Sequence, residues 1–505
     1  MTADTITKLL ASHASGRPAL GAPGAKSLTF GGLAALASDV QSALAATGVG
    51  RGDRVAIVLP NGPEMAAAFI SIAQAATTAP LNPAYRADEF EFYMSDLKAK
   101  ALVTLSGFET PAREVAQKLG SAVIELVPQP ETGAGAFKLV APKGGTPRPI
   151  EAPGPDDIAL VLHTSGTTSR PKIVPLAQSN VAASARHIGA TLALTPEDRC
   201  LNIMPLFHIH GLIAAVLSSL AAGGETVCTT GFNALKFFAW LDEAKPTWYT
   251  AVPTMHQAIL SRADRNADVL SRCELKFIRS SSASLPPQVM VELEKTFGCP
   301  VIESYGMTEA AHQMTSNPLP PRARKPGSVG IAAGPEVAIM NEDGQILAQG
   351  DLGEVVIRGP NVTKGYEANP EANAKGFTNG WFRTGDQGVL DVEGYLRITG
   401  RLKELINRGG EKVSPLEVDE VLMDHPAVAQ CVTFAMPHDK LGEEVAAAIV
   451  LREGAAATDR EIRDFALKRL ADFKVPRKII ILSEIPKGAT GKLQRIGLAQ
   501  KLGLG

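Results

Sequence analysis

The chain has 505 residues, 45% of them hydrophobic and 20% charged, which excludes a disordered, collagen-like or disulfide-stapled polypeptide and leaves room for a large core. Lys and Arg number 50 against 52 Asp and Glu, a formal net charge of -2, so no field of one sign steers the protein to nucleic acid or to an acidic membrane surface. The length suggests two or more structural units.

The first twenty residues hold Lys8 and His13 and no sustained apolar run, unlike a secretory signal. From there to about residue 400, apolar runs of strand length alternate with amphipathic helical patterns, the mark of a layered α/β fold. Residues 55–59 read as a strand, Pro60-Asn61-Gly62 as a turn, and 64–76 as a helix opened by Pro63, with Met65, Phe69, Ile72 and Ala76 along one face. Segment 127–155 is rich in Gly and Pro, shows no period, and is expected to cross the surface without regular structure. Residues 158–162, 173–176 and 247–252 read as further strands.

Residues 201–224 carry no Asp, Glu, Lys or Arg, and a bilayer takes only about 20 apolar residues. Pro205, His208, His210, Gly211, Ser218 and Ser219 interrupt the run, and polar groups in lipid are costly, so a buried loop and core helix is expected and no membrane span. Beyond residue 400 comes a compact set: a helix at 415–423, strands at 428–434, 445–451 and 477–482, and a helix through Leu470 capped by Thr458 with Glu461. The fold class is therefore α/β, with a large layered N-terminal domain, 1–401, and a small α+β C-terminal domain, 402–505. Cys200, Cys228, Cys273, Cys299 and Cys431 are scattered and odd in number, which disfavours disulfides and zinc and suits a reducing, cytoplasmic setting.

The most informative segment is Thr164-Ser165-Gly166-Thr167-Thr168-Ser169-Arg170-Pro171-Lys172, a tight turn between two strands. It crowds N–H and O–H donors and two cations together, which is what a polyphosphate needs. No Gly-Lys-Ser/Thr follows the glycine and no helix opens there, so it is not a Walker loop. Taken alone it could equally be an ordinary Ser/Thr turn.

This segment resembles the phosphate-binding signature of the acyl-adenylate-forming superfamily, which includes acyl-CoA synthetases and peptide-synthetase adenylation domains. The usual Ser-Gly-Thr-Thr-Gly-x-Pro-Lys-Gly has Ser169 and Ile173 in place of two glycines. Ser169 matches the branch that activates oxalate. Ile173 departs from it, and a β-branched residue would disfavour any positive φ required there. Further motifs follow in the family's order. Tyr305-Gly306-Met307-Thr308-Glu309 resembles the adenine-and-magnesium motif, with Thr308 on phosphate and Glu309 on Mg²⁺. In Trp381-Phe382-Arg383-Thr384-Gly385-Asp386 the resemblance makes Asp386 the ribose acceptor. The resemblance also places Arg401 near ribose and phosphate and makes Lys403 the hinge. Pro486-Lys487-Gly488-Ala489-Thr490-Gly491-Lys492 resembles the mobile loop that delivers the catalytic Lys492, and Gly410 would leave room for the pantetheine arm of CoA.

The resemblance spans about residues 25–500. It implies that ATP, Mg²⁺ and coenzyme A act with a carboxylic acid in two steps, joined by rotation of a mobile C-terminal domain. Three segments resemble pocket walls: 207–211, 279–285 and 310–314. Their hydroxyls and imidazoles suit a small dicarboxylate, whose second anion needs donors once water is expelled. Ser282 and His312 would bind the distal carboxylate and His208 would gate or orient the acid, which favours oxalate. Malonate or another short or medium-chain acid is the first alternative. Loading of a carrier-protein pantetheine is the second.

Overall fold

The computed structural model describes residues 3–142, 146–164, 171–487 and 493–504. The apolar run at Arg54–Val58 forms a strand in the middle of a seven-stranded sheet, parallel to Thr77–Pro80 and Ala101–Leu105. Val55 and Ile57 face the helix Pro63–Ile72 through Met65, Phe69 and Ile72, while Ala56 and Val58 face Phe90, Met94 and Leu97 of the helix Ala87–Leu97. Both faces of these parallel strands are covered, so their sequence is continuously apolar. The helix expected to reach residue 76 ends at Ile72, because the chain turns into the strand Thr77–Pro80.

The segment expected to lack structure supplies a strand, Phe137–Val140, antiparallel to Ala122–Pro128 at the sheet edge. Phe137 and Leu139 point inward and Lys138 and Val140 outward. At the other edge, Ile158–Thr164 and Lys172–Ala177 form an antiparallel pair.

A second sheet has nine strands among the described residues. Its parallel core runs from Glu225–Cys228 through Arg199–Asn202, Trp248–Ala251 and Phe277–Ser280 to Val301–Met307. The charge-free stretch at 201–224 is core, as expected. Its centre, His210–Leu217, winds as a π-helix, a form that recurs at functional sites. No helix among the described residues is long and apolar enough to cross a membrane.

A third, antiparallel sheet built around Gly353–Arg358 and Trp381–Leu390 ends in the strand Leu396–Arg401. From Ile406 onward the chain packs a core of its own. Ile406, Val413, Val418, Leu422, Val445, Ala447 and Ile462 cluster between a five-stranded sheet and the helices Pro415–Met423 and Asp459–Leu467. The Thr458–Glu461 capping box is present, with Thr458 Oγ1 accepting from Glu461 N–H and Glu461 accepting from Thr458 N–H. Its helix stops at Leu467 instead of Leu470.

Candidate active site

Parallel strands gather ligand-binding side chains at their carboxyl ends, where each chain leaves the sheet with unpaired backbone groups. Here the ends of Trp248–Ala251, Phe277–Ser280 and Val301–Met307 carry Thr250, Arg279 with Ser282, and Thr308 with Glu309. The hairpin registers Thr164 opposite Lys172. Ser165, Gly166, Thr167, Thr168 and Ser169, between them, lie outside the described residues. Ile173 lies in the strand Lys172–Ala177, pairs with His163 and is absent from the positive-φ positions, so this departure from the usual glycine strains nothing.

Lys172 and Glu309 are joined through one aromatic ring. The Lys172 ammonium sits 4.4 Å from the centre of Tyr366, whose O–H donates to Glu309 Oε1 at 2.8 Å. Glu309 is 6% exposed, and burial pushes its carboxyl above the ordinary range while the Tyr366 bond and the charges of Arg401 and Lys172 pull it back. Thr308 opens the short 3₁₀ turn Thr308–Ala310 beside it. Gly306 is sterically required, since a Cβ there would fall 1.7 Å from the His312 carbonyl oxygen. Met307 continues the same strand and pairs with His312.

Asp386 is buried and already engaged. Tyr305 donates its phenol O–H to Oδ2, Arg401 donates from Nε to Oδ1 at 2.8 Å, and the Asp386 N–H donates to Thr384 Oγ1 at 3.1 Å. Burial, then the neighbouring Asp386 charge, pushes the Tyr305 phenol up. The same carboxylate, its main cause, holds the Arg401 guanidinium above its ordinary value.

The acid-binding candidates converge. His210 Nδ1 lies 3.0 Å from Ser282 Oγ, and its Nε2 is 2.6 Å from Thr250 Oγ1. The rings of His210 and His312 are 4.9 Å apart. Ser282 at φ 75° and His312 at φ 100° both adopt the left-handed backbone that favours glycine. Non-glycine residues hold that conformation at a cost of order 1–3 kcal/mol only where the surroundings impose it, and such residues cluster at ligand sites. His208 is half-buried, and its Nδ1 accepts from the His210 N–H at 3.4 Å. His210 and Arg279 were visible only as members of pocket-wall segments, and Tyr366 gave no signal at all. Their importance comes from partners far along the chain.

In the C-terminal part, Lys403 lies in the 3₁₀ turn Leu402–Glu404 that follows Arg401. Gly410, at φ 98°, turns the hairpin between Ile406–Arg408 and Glu411–Val413. Lys492 lies outside the described residues; of those flanking it, Lys487 pairs with Leu493. Just beyond, Arg495 is tied to Asp419 at 2.6 Å, to Glu404 at 3.4 Å and to the Thr433 carbonyl at 2.9 Å.

No group of three or more His, Cys, Asp or Glu side chains among the described residues could hold a metal alone. A single buried carboxylate beside a hydroxyl, as at Glu309 and Thr308, instead fits Mg²⁺ that arrives on nucleotide phosphates and keeps most of its ligands from them and from water.

Known proteins share this architecture. Residues 9–367 match the AMP-binding enzyme family and residues 417–492 the AMP-binding enzyme C-terminal domain. The oxalate–CoA ligase of Arabidopsis thaliana is 48% identical, over 99% of both chains. That of Saccharomyces cerevisiae is 42% identical, over 89% of this chain and 87% of its own. The ATP-bound crystal structure of MatB from Rhodopseudomonas palustris superposes with a TM-score of 0.85 at 29% identity, over 98% of this chain and 97% of its own. With both family regions matched, the chain belongs to the AMP-binding enzyme family.

Proposed function

We propose that the protein is an acid–thiol ligase that activates oxalate with ATP as oxalyl-AMP and transfers the oxalyl group to coenzyme A. One observation carries the choice of acid: buried His210, His312 and Arg279 form a polar, cationic cluster with half-buried Ser282 at the strand ends, with Ser282 and His312 on strained backbone. An aliphatic or aromatic tail would leave these groups unpaired, whereas a second carboxylate pairs with them. The likeness to two oxalate–CoA ligases points the same way.

In the first step an oxalate oxygen attacks the α-phosphorus of ATP, the bond to the β-phosphate bridging oxygen breaks, and diphosphate leaves. In the second, the CoA thiolate adds to the activated carbonyl and AMP leaves, with the thiol proton passing to solvent. Thr164, Ser165, Gly166, Thr167, Thr168, Ser169 and Lys172 cradle the phosphates. Thr308 binds phosphate, and Glu309 holds the Mg²⁺ that accompanies ATP. Tyr305, Gly306 and Met307 line the adenine side, while Asp386 and Arg401 receive ribose. Lys492 places positive charge where the acid and the α-phosphate meet, as electrostatic stabilisation of a crowded anion. Ser282 and His312 bind the distal carboxylate and His208 orients the acid. Lys403 is the hinge between domains 1–401 and 402–505, and Gly410 admits the pantetheine arm. The five free cysteines, four of them buried, favour a cytoplasmic setting.

The test is diphosphate release from ATP with a panel of carboxylic acids, followed by thioester formation with free CoA and with carrier-bound pantetheine. Oxalate is expected to give the largest kcat/KM and free CoA to be the acceptor. Silence with oxalate alongside turnover of malonate or a medium-chain acid would overturn the substrate. Transfer to the carrier alone would overturn the acceptor.

A further inference from the structure

Arg279 is fully buried at the end of the strand Phe277–Ser280, and among the described residues no carboxylate pairs with it. Its nearest partners include no carboxylate: Nη1 reaches His210 Nε2 and Thr250 Oγ1 at 3.5 Å, and Nη2 reaches His312 Nδ1 at 3.5 Å and Gln313 Oε1 at 3.4 Å. The Nε–H has no partner among the described residues. Every one of these contacts is at the long limit of a hydrogen bond, so the guanidinium is under-satisfied as well as unpaired. Buried charges are ordinarily neutralised by a partner, because desolvation of an isolated ion is so costly. Burial, opposed by the neighbouring Cys200 thiol, pulls this guanidinium down to about 9.

The contacts also fix the direction of the surrounding hydrogen bonds. A guanidinium only donates, so His312 Nδ1 and His210 Nε2 must accept. A neutral His312 then carries its proton on Nε2. A neutral His210 carries its proton on Nδ1 and donates to Ser282 Oγ, which frees the serine O–H to act as a donor. One buried cation thus polarises two imidazoles and a hydroxyl into a donor set.

We infer that Arg279 is a specificity-determining, positioning residue. It makes the acid site demand a second negative charge, by setting the donor polarity of His312, His210 and Ser282 and by supplying the positive charge that a distal carboxylate neutralises. The inference rests on the reading of the substrate as a dicarboxylate and is indifferent to its length. It requires discrimination by charge between acids of nearly equal shape, such as oxalate and its monoamide oxamate, or malonate and malonamate.

The experiment measures diphosphate release for these four acids with wild type, Arg279→Met and Arg279→Lys, alongside binding of a non-hydrolysable ATP analogue. Wild type is expected to favour each dianion over its amide by on the order of 10², the scale of one charge-assisted hydrogen bond in a buried site. In Arg279→Met that ratio falls to within a few-fold through loss of dianion use, with analogue binding unchanged. Arg279→Lys keeps the charge without the fork and retains a ratio above about tenfold. Equal use of dianion and amide by wild type overturns the inference. So does an unchanged ratio, or equal loss of both acids, in a folded Arg279→Met variant. If Met at this position does not fold, Arg279→Lys decides, since a ratio near unity there also overturns it. Should malonate replace oxalate as the preferred acid while the malonate to malonamate ratio still depends on Arg279, the oxalate reading fails and this one stands.

Discussion

Removing one oxygen atom, in Tyr366→Phe, isolates the hydrogen bond that favours the ionised form of Glu309. The phenyl ring remains for Lys172, so the cation–π contact survives, and only the 2.8 Å donor to Glu309 Oε1 is lost. At 6% exposure Glu309 has little water to replace that donor. A hydrogen bond to a charged group contributes about 1.5–3 kcal/mol, so its loss pushes the carboxyl pKa further up. The sign follows directly: burial already raises this pKa, the bond lowers it, and without the bond a smaller fraction is ionised at neutral pH. If the ionised form receives Mg²⁺, the Mg²⁺ concentration for half-maximal diphosphate release rises on the order of tenfold at about pH 6.5. It returns toward wild type at about pH 8.5, because higher pH favours the ionised carboxyl in both proteins. An unaltered Mg²⁺ requirement, or the same deficit at both pH values, would refute the reasoning.

Gly306→Ala drives a Cβ into the His312 carbonyl, 1.7 Å away, and the strand cannot yield without moving His312. We expect a loss of about 1–3 kcal/mol or more in denaturant stability together with collapse of oxalate turnover, and a wild-type midpoint would contradict it. Glu303 is buried, accepts from the Leu285 N–H and is raised by burial to about 8. The native protein therefore holds one proton more than the unfolded chain between the ordinary carboxylate range and about 8. Its contribution is complete at the acidic end and declines as pH rises, at up to about 1.4 kcal/mol per pH unit. Glu303→Gln should remove that slope from a plot of unfolding free energy against pH, and parallel plots for the two proteins would disprove the assignment.

What the sequence revealed was whatever is local. Strand Ile158–Thr164, helix Pro415–Met423 and the Thr458–Glu461 cap are specified by neighbours within a few residues, and they lie where periodicity and capping chemistry put them. The strand Phe137–Val140 escaped because its period-two signal is only four residues long and is embedded among glycines and prolines. Tyr305, Glu309 and Asp386 were legible because they sit in contiguous motifs. Arg279 was not, because its meaning lies in His210, 69 residues earlier, and His312, 33 residues later. A lone arginine in an apolar strand looks like an anomaly until the fold supplies its company. Tyr366, 57 residues from Glu309, was hidden for the same reason.

If Asp386 receives the nucleotide ribose, it does so as an exchange partner, because Tyr305 and Arg401 already occupy its oxygens. A sugar that docks there swaps one set of bonds for another, so the strength of docking reflects only the difference between the two sets. Departure is the mirror image: as the sugar withdraws, the side chains close back on the carboxylate and no bare charge is stranded in a dry pocket. On that reading the enzyme would give up some grip on AMP and gain a smooth exit for it.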